Sequence, residues 1–255
     1  MIDRTGVSRA IKRTYGATLR PQWLEQCAEH IETELAQGAR AELHLEVQTR
    51  LVLEQLLDSE ISDSCYPALA TDRDSGRVTE LPGGAGAFLQ IQEIMDIGVS
   101  KHAMWEAVRE KEDFEQCGIR PSYLPARDES DSDGVFTAGG TQHSMADPAA
   151  SECETDGERE PRIPRTALKV ELTDGKTRIS GVELTPVSQL SVELPVGTKV
   201  VVSAGRFLEP TGMLVLSSGG IRVLGGAPSH YKQHTLRARL ESLLHARGMH
   251  VSRAE

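Results

Sequence analysis

Residues 165–226 are written in short apolar alternations, each cut by a Gly, Pro or Asp-Gly turn signal, and nothing else in the 255-residue chain constrains the fold as much. Leu168, Val170 and Leu172 fall two apart, and side chains two apart share one side of a pleated strand. Asp174-Gly175 predicts a two-residue reversal, because both positions tolerate positive φ. Ile179, Val182 and Leu184 follow it, then Val200 and Val202, Leu214 and Leu216, and Ile221 and Val223. A first strand is expected far upstream, at residues 87–97, where Leu89 and Ile91 alternate with Gln90 and Gln92. The fold class read from this is α+β. A three-helix bundle precedes a five-stranded Greek-key barrel of the oligonucleotide/oligosaccharide-binding (OB) type, with a long insertion between strands one and two.

The helical reading covers residues 1–62. Residues 7–15 form a short basic helix carrying Arg9, Lys12 and Arg13. Thr18 is read as the N-cap of a second helix, with Pro21 in its first turn and Gln22 in a capping-box role. Trp23, Leu24, Cys27, Ile31 and Leu35 then recur at helical spacing until Gly38 stops them. A third stripe runs through Leu43, Val47, Leu51 and Glu54, with Leu53, Leu56 and Leu57 widening its apolar face, and aliphatic stripes of this kind are nearly always core. Residues 63–86 are turn-rich and serve as a connector, 87–226 form the barrel with its insertion at 98–164, and 227–255 hold a polar helix at 231–245.

The insertion carries the charge. Residues 111–160 hold thirteen Asp and Glu against four Lys and Arg, so −9 of the chain's net −10 belongs to one segment and the remainder is near neutral. Residues 127–160 offer almost nothing apolar to bury and are expected to be disordered. Residues 100–114 predict an amphipathic helix presenting Met104, Trp105 and Val108. Four scattered cysteines without a CxxC pair fit a reducing, intracellular setting, and no apolar run approaches the length of a membrane span.

Several patterns fail as chemistry. Asp131 and Asp133 suggest a calcium loop, but its twelfth position is Gly140 where a bidentate Glu is required. His230 and His234 are spaced to grip a metal on a helix but lack a third ligand, so surface histidines are the better reading. Gly83-Gly84-Ala85-Gly86 precedes a strand instead of opening a helix and cannot cradle a phosphate. No Ser, Cys or Thr has a base-bearing context, so no catalytic residue, cofactor or metal is expected. Nor does the barrel suit single-stranded nucleic acid. Phe88 and Phe207 are its only aromatics and residues 165–226 carry a net charge of only +2, whereas that mode needs stacked aromatics in a basic groove.

What remains is an adaptor whose barrel holds out the insertion. Its anchors are Met104, Trp105, Val108, Phe114, Ile119, Tyr123 and Leu124, with Phe136 further along and Ser130 and Ser132 as candidate phosphorylation sites. Lys169, Lys176, Arg178, Pro195 and Lys199 are read as a partner surface on the barrel, and Arg9, Lys12, Arg13 and Trp23 as one on the helices.

Four stretches carry a family resemblance: Trp23-Leu24, PGGAGAFLQIQEIMDIGVS from Pro82, LKVELTDGKTRISGVELTPVSQL from Leu168, and LPVGTKVVV with the closing GGIRVLGG. The chain resembles the first branch of the RecQ-mediated genome instability protein family, in its compact fungal form without a second barrel. A Tudor-domain relative shares a similar helical-plus-barrel unit. The resemblance implies a nuclear, non-catalytic subunit that binds topoisomerase III and works with a RecQ-type helicase. The insertion would sit at the topoisomerase gate and favour decatenation and dissolution of double Holliday junctions, with weak or indirect contact to DNA. An OB protein that binds single strands by itself is the alternative, as is a partner of another type III topoisomerase.

Overall fold

Strand β1, Ala87–Asp96, is the axis of the molecule. In the computed structural model, which describes residues 1–36, 44–72, 77–117 and 161–246, its first half pairs antiparallel with β4 (Lys199–Val202) and its second half with β2 (Leu168–Thr173). A register shift between Ile91 and Glu93 marks the changeover, a bulge that bends the strand so one element serves both halves of a barrel. Strand β3 (Arg178–Glu183) continues the sheet beyond β2. The upstream segment therefore lies inside the sheet made by the later strands, as its alternation predicts.

Among the described residues seven strands are present where five were expected: the sheet order is β5-β6-β3-β2-β1-β4-β7. The extra two arise because two long strands are each broken. Strands β4 and β5 (Arg206–Leu208) run in tandem, as do β6 (Met213–Leu216) and β7 (Ile221–Gly225). They form one hairpin, β4 against β7 and β5 against β6. Since β6 also lies parallel to β3 while β4 lies against β1, the hairpin closes the ring. At the break, Gly220 accepts from Ser203 N at 2.9 Å, and a Cβ on Gly220 would strike the Ala204 carbonyl.

The other reversal also shifts by one residue. Asp174 N donates to Thr177 O at 3.2 Å, so Gly175 and Lys176 form the tip instead of Asp174 and Gly175. Asp174 is buried because its carboxylate accepts from Lys176 N, Thr177 N and, from the connector, Leu69 N.

Helix α1, Arg4–Tyr15, is capped by Asp3, whose carboxylate accepts from Gly6 N at 2.9 Å, and ends at Gly16 in the left-handed region. Helix α2, Pro21–Ala36, starts with proline at its first position, where the missing N–H costs nothing. Arg20, not Thr18, stands at its cap: Leu24 N donates to Arg20 O, while Thr18 O is taken by Tyr66 N. In α3, Leu45–Asp58, the buried face is Gln48, Val52 and Leu56, and Val47 is exposed. The stripe is thus rotated from the expected one, because the Gln48 side-chain oxygen accepts from Asp3 N and ties α3 to the start of α1. A short α4, Ile61–Ser64, follows, and Cys65 bridges to Leu19.

These helices do not make a separate core. Val7, Ile11, Leu24, Ile31, Val52, Leu56 and Ile61 pack with Phe88 of β1 and Val201 of β4 in one cluster. Gly16 and Gly86 mark the closest approach. Both have positive φ, and a Cβ on Gly16 would collide with the Gly86 carbonyl.

The C-terminal segment is a 3-10 turn, Ser229–Gln233, and then α6, Leu236–Ala246, in place of one helix over 231–245. Leu236, Leu240 and Leu244 face inward. Arg239 donates to Ile94 O at 3.0 Å and Val192 O at 2.8 Å, and burial pushes its guanidinium below its usual range. Met1–Trp105 with Pro164–Glu255 form one unit and Glu106–Ile163 another. Helix α5, Lys101–Cys117, begins in the first unit, and its remainder lies in the second. None of the described helices is long and apolar enough to cross a membrane.

Candidate partner-binding surfaces

The two ends of the insertion meet at one buried carboxylate. Asp96, the last residue of β1, is fully buried on an otherwise apolar strand end. Its Oδ1 accepts from Gly98 N at 2.8 Å and Val99 N at 3.1 Å, and Lys101 Nζ reaches its carbonyl at 3.3 Å. Its Oδ2 accepts from Thr166 N at 2.5 Å, on the returning chain seventy residues later. A charged acceptor with three main-chain donors fixes where the segment leaves and where it returns.

A second buried acid braces the return. Glu183 at the end of β3 receives Arg165 Nη2 at 2.7 Å and Arg165 Nε at 3.3 Å, and also Leu168 N and Val187 N. Both oxygens of the buried Glu183 have donors, so its carboxylate is fully satisfied although Arg165 itself is partly exposed. Asp96, Glu183 and Arg165 escape a reading of the sequence alone. The one signal is an acid at the end of each apolar strand, where solvent exposure is the ordinary expectation.

The anchors expected on the insertion divide. Met104, Trp105 and Val108 are 0%, 8% and 6% exposed, so they are buried rather than offered to a partner. Their near-helical spacing makes one apolar stripe on α5, and such a stripe is buried within its own fold first. Phe114 is half-buried. Ile119, Tyr123, Leu124 and Phe136 lie outside the described residues, as do Ser130, Ser132, the Asp131–Gly134 motif, Gly38, Leu43 and residues 127–160.

The barrel set divides as well. Lys176, Arg178 and Pro195 are exposed, and Lys169 pairs with Glu171 at 2.8 Å. Lys199 is not a surface residue. It is fully buried, and its Nζ donates to Leu57 O at 3.1 Å and Gly197 O at 3.0 Å. Burial pushes its ammonium down to about 8, with Glu60 pulling the other way. Nearby, Gln90 Nε2 donates to Glu60 Oε1 at 2.9 Å, Ile61 N donates to Gln90 Oε1 at 3.1 Å, and His230 Nε2 lies 3.5 Å from Glu60 Oε2. Strand, helix and C-terminal turn are joined by this polar cluster. The 3-10 turn sets His230 and His234 about the Tyr231 ring, and no group of three metal-ligating side chains occurs among the described residues.

On the helical domain, Arg9, Lys12 and Arg13 are exposed and Trp23 is half-buried against the core. A groove of about 540 Å³ runs beside them, lined on the α1 side by Arg4, Thr5, Ser8, Arg9 and Lys12. Of the two barrel aromatics, Phe88 is buried under the helices, and Phe207 is half-buried on edge strand β5, where it lines a cavity of about 1030 Å³ with Arg77 and Arg206.

A helical domain sharing one core with a ring-closed barrel, whose first strand leads into a long insertion, defines an OB-fold protein of helical-domain-plus-barrel type. Two family models match, "RMI1, N-terminal helical domain" over residues 11–64 and "RMI1, N-terminal OB-fold domain" over residues 67–239. The chain belongs to the RMI1 family. It is similar to RecQ-mediated genome instability protein 1 of Mus musculus, 26% identical over 84% of this chain and 29% of that protein. The corresponding Danio rerio protein is 25% identical over 81% of this chain and 33% of its own length. Tudor domain-containing protein 3 of Danio rerio is 37% identical over 32% of this chain and 10% of that protein. The chain spans about a third of the length of the RecQ-mediated relatives it matches.

Proposed function

We propose that this protein is a non-catalytic genome-stability adaptor that binds topoisomerase III in the nucleus and acts with a RecQ-family helicase. Its barrel fixes both ends of the insertion, and the segment beyond α5 engages the topoisomerase gate, stimulating decatenation and the dissolution of double Holliday junctions. The observation that carries this reading is the Asp96 clamp, which holds Gly98, Val99 and Thr166 on one carboxylate. A segment with fixed roots loses less freedom when a partner orders it than one that is loose at both ends. Family membership and the names of the relatives support a place in a RecQ pathway. The insertion need only prefer one gate state over the other, and about 1.4 kcal/mol of preference shifts that equilibrium tenfold.

The test is a decatenation assay with a type III topoisomerase, alone, with the protein, and with a variant lacking residues 118–126. That deletion spares the buried Met104, Trp105 and Val108. The variant is expected to be captured by the topoisomerase and to fail to stimulate it. Full stimulation by the variant, or no capture of the parent chain, defeats the reading.

A further inference from the structure

Helix α1 has four cations and no acid in its twelve residues. Arg9, Lys12 and Arg13 fall at i, i+3 and i+4 and so share one face, with exposed Thr5 one turn earlier. Val7 and Ile11 occupy the opposite, buried side. None of the three cations has an acidic partner within ion-pair distance among the described residues. Glu25, which lines the adjoining groove, is already engaged with Arg4 at 2.7 Å, and Asp3 serves as the N-cap. On the other described helices, Arg50, Arg109 and Arg237 each pair with an acid one turn away, Glu54, Asp113 and Glu241. The helix dipole accounts for cations in the last turn, Lys12 and Arg13, but Arg9 stands a turn earlier.

The chemistry around these cations decides what they fit. An acidic protein surface needs apolar anchors to hold it. The exposed large apolar residues are Met1, Leu45, Val47, Tyr66, Ile97 and Leu184, none of them on this face. The adjoining groove adds the hydroxyls of Thr5 and Ser8; its other wall is Leu19, Pro21, Leu24 and Glu25, of which Leu19 and Leu24 are buried in the core and Glu25 is paired with Arg4. Unpaired Arg and Lys with Ser and Thr hydroxyls are the groups that bind phosphate oxygens along a nucleic-acid strand.

We propose that the Arg9–Lys12–Arg13 face of α1, with the Thr5–Ser8 groove beside it, binds the phosphodiester backbone of nucleic acid. Binding is independent of sequence and falls steeply with salt, since no aromatic stacks and no base edge is read. It is separate from the insertion and does not rest on the adaptor role.

The experiment is fluorescence anisotropy of the full chain with labelled oligo(dT) and with a duplex of equal length, at salt from about 50 to 200 mM. Arg9→Ala, Lys12→Ala and Arg13→Ala combined should weaken binding about tenfold or more at low salt. The same variant should flatten the log–log salt slope by about 2 to 3, since each phosphate no longer neutralised removes roughly 0.7–0.9. The melting temperature should not change, because all three side chains are exposed. Arg9→Lys with Arg13→Lys should retain binding, and Arg50→Gln with Arg237→Gln should leave it unchanged. Parental affinity and slope in the triple variant overturn the proposal, as does a parent chain that binds neither probe at the lowest salt. Loss of topoisomerase capture with intact DNA binding overturns it too, by assigning the face to a protein.

Discussion

The ammonium of Lys199, at the start of β4, donates to the main-chain oxygen of Leu57 in the last turn of α3 at 3.1 Å, across 142 positions of sequence. One side chain thereby ties the last turn of α3 to the barrel. Its proton is held less tightly than in the unfolded chain, since burial lowers the ammonium from 10.5 to about 8. Between those values the unfolded chain binds the proton and the folded chain does not, so stability rises with pH through the window. Above pH 9 the buried thiols of Cys27 and Cys65, raised to about 11 by burial, act in the opposite direction. The clear interval is pH 8 to 9. Unfolding free energy should rise there by roughly 1 kcal/mol in the parent relative to Lys199→Met. Equal slopes in denaturant titrations of the two proteins would refute the assignment.

Asp96→Ala removes the acceptor of three main-chain N–H groups. Hydrogen bonds to a charged group are worth about 1.5–3 kcal/mol each when sheltered and less when, as here, the donors are partly exposed. The amides of Gly98, Val99 and Thr166 should lose hydrogen-exchange protection first, ahead of the β-sheet. Protection unchanged at those three positions would show that the clamp does not hold the roots.

Met104→Ala separates a core residue from a partner anchor. As a fully buried side chain, Met104 should cost about 2–5 kcal/mol on truncation, read as a lower urea midpoint with unchanged slope. A loss below about 0.5 kcal/mol is what an exposed position gives, and would return Met104 to the anchors.

Gly16→Ala places a Cβ at φ 73° and against the Gly86 carbonyl. Strain at the left-handed position alone costs about 1–3 kcal/mol. The melting temperature should fall clearly, whereas Gly83→Ala, which has open space around it, should leave it nearly unchanged.

Much of the fold is legible in the residues because period-two and helical patterns record which faces are apolar. Leu168, Val170 and Leu172 announce β2, residues 7–15 announce α1 without its cap at Asp3 or its end at Gly16, and the first strand is found seventy residues from its neighbour by alternation alone. Breaks in strands are not recorded in that way. Ser203 and Gly220 split two strands because their backbones cross closely, which depends on both sides of the hairpin at once.

The candidate surfaces were less legible. Met104, Trp105 and Val108 form an apolar stripe that reads identically whether the chain itself or another protein buries it. Lys199 heads a strand as any surface lysine does, and only the arrival of α3 above it removes the water. Asp96 and Glu183 look like acids in solvent until the returning chain brings Thr166 and Arg165 to them.

By itself, then, the sequence determined the kinds of element, their order, the barrel and the concentration of acid in one insertion, since these follow from local spacing and composition. The tertiary structure alone decided which polar groups are buried and paired and where the insertion is fastened. Burial and pairing depend on what distant parts of the chain bring into contact, and low-dielectric surroundings then set the strength and protonation of those groups.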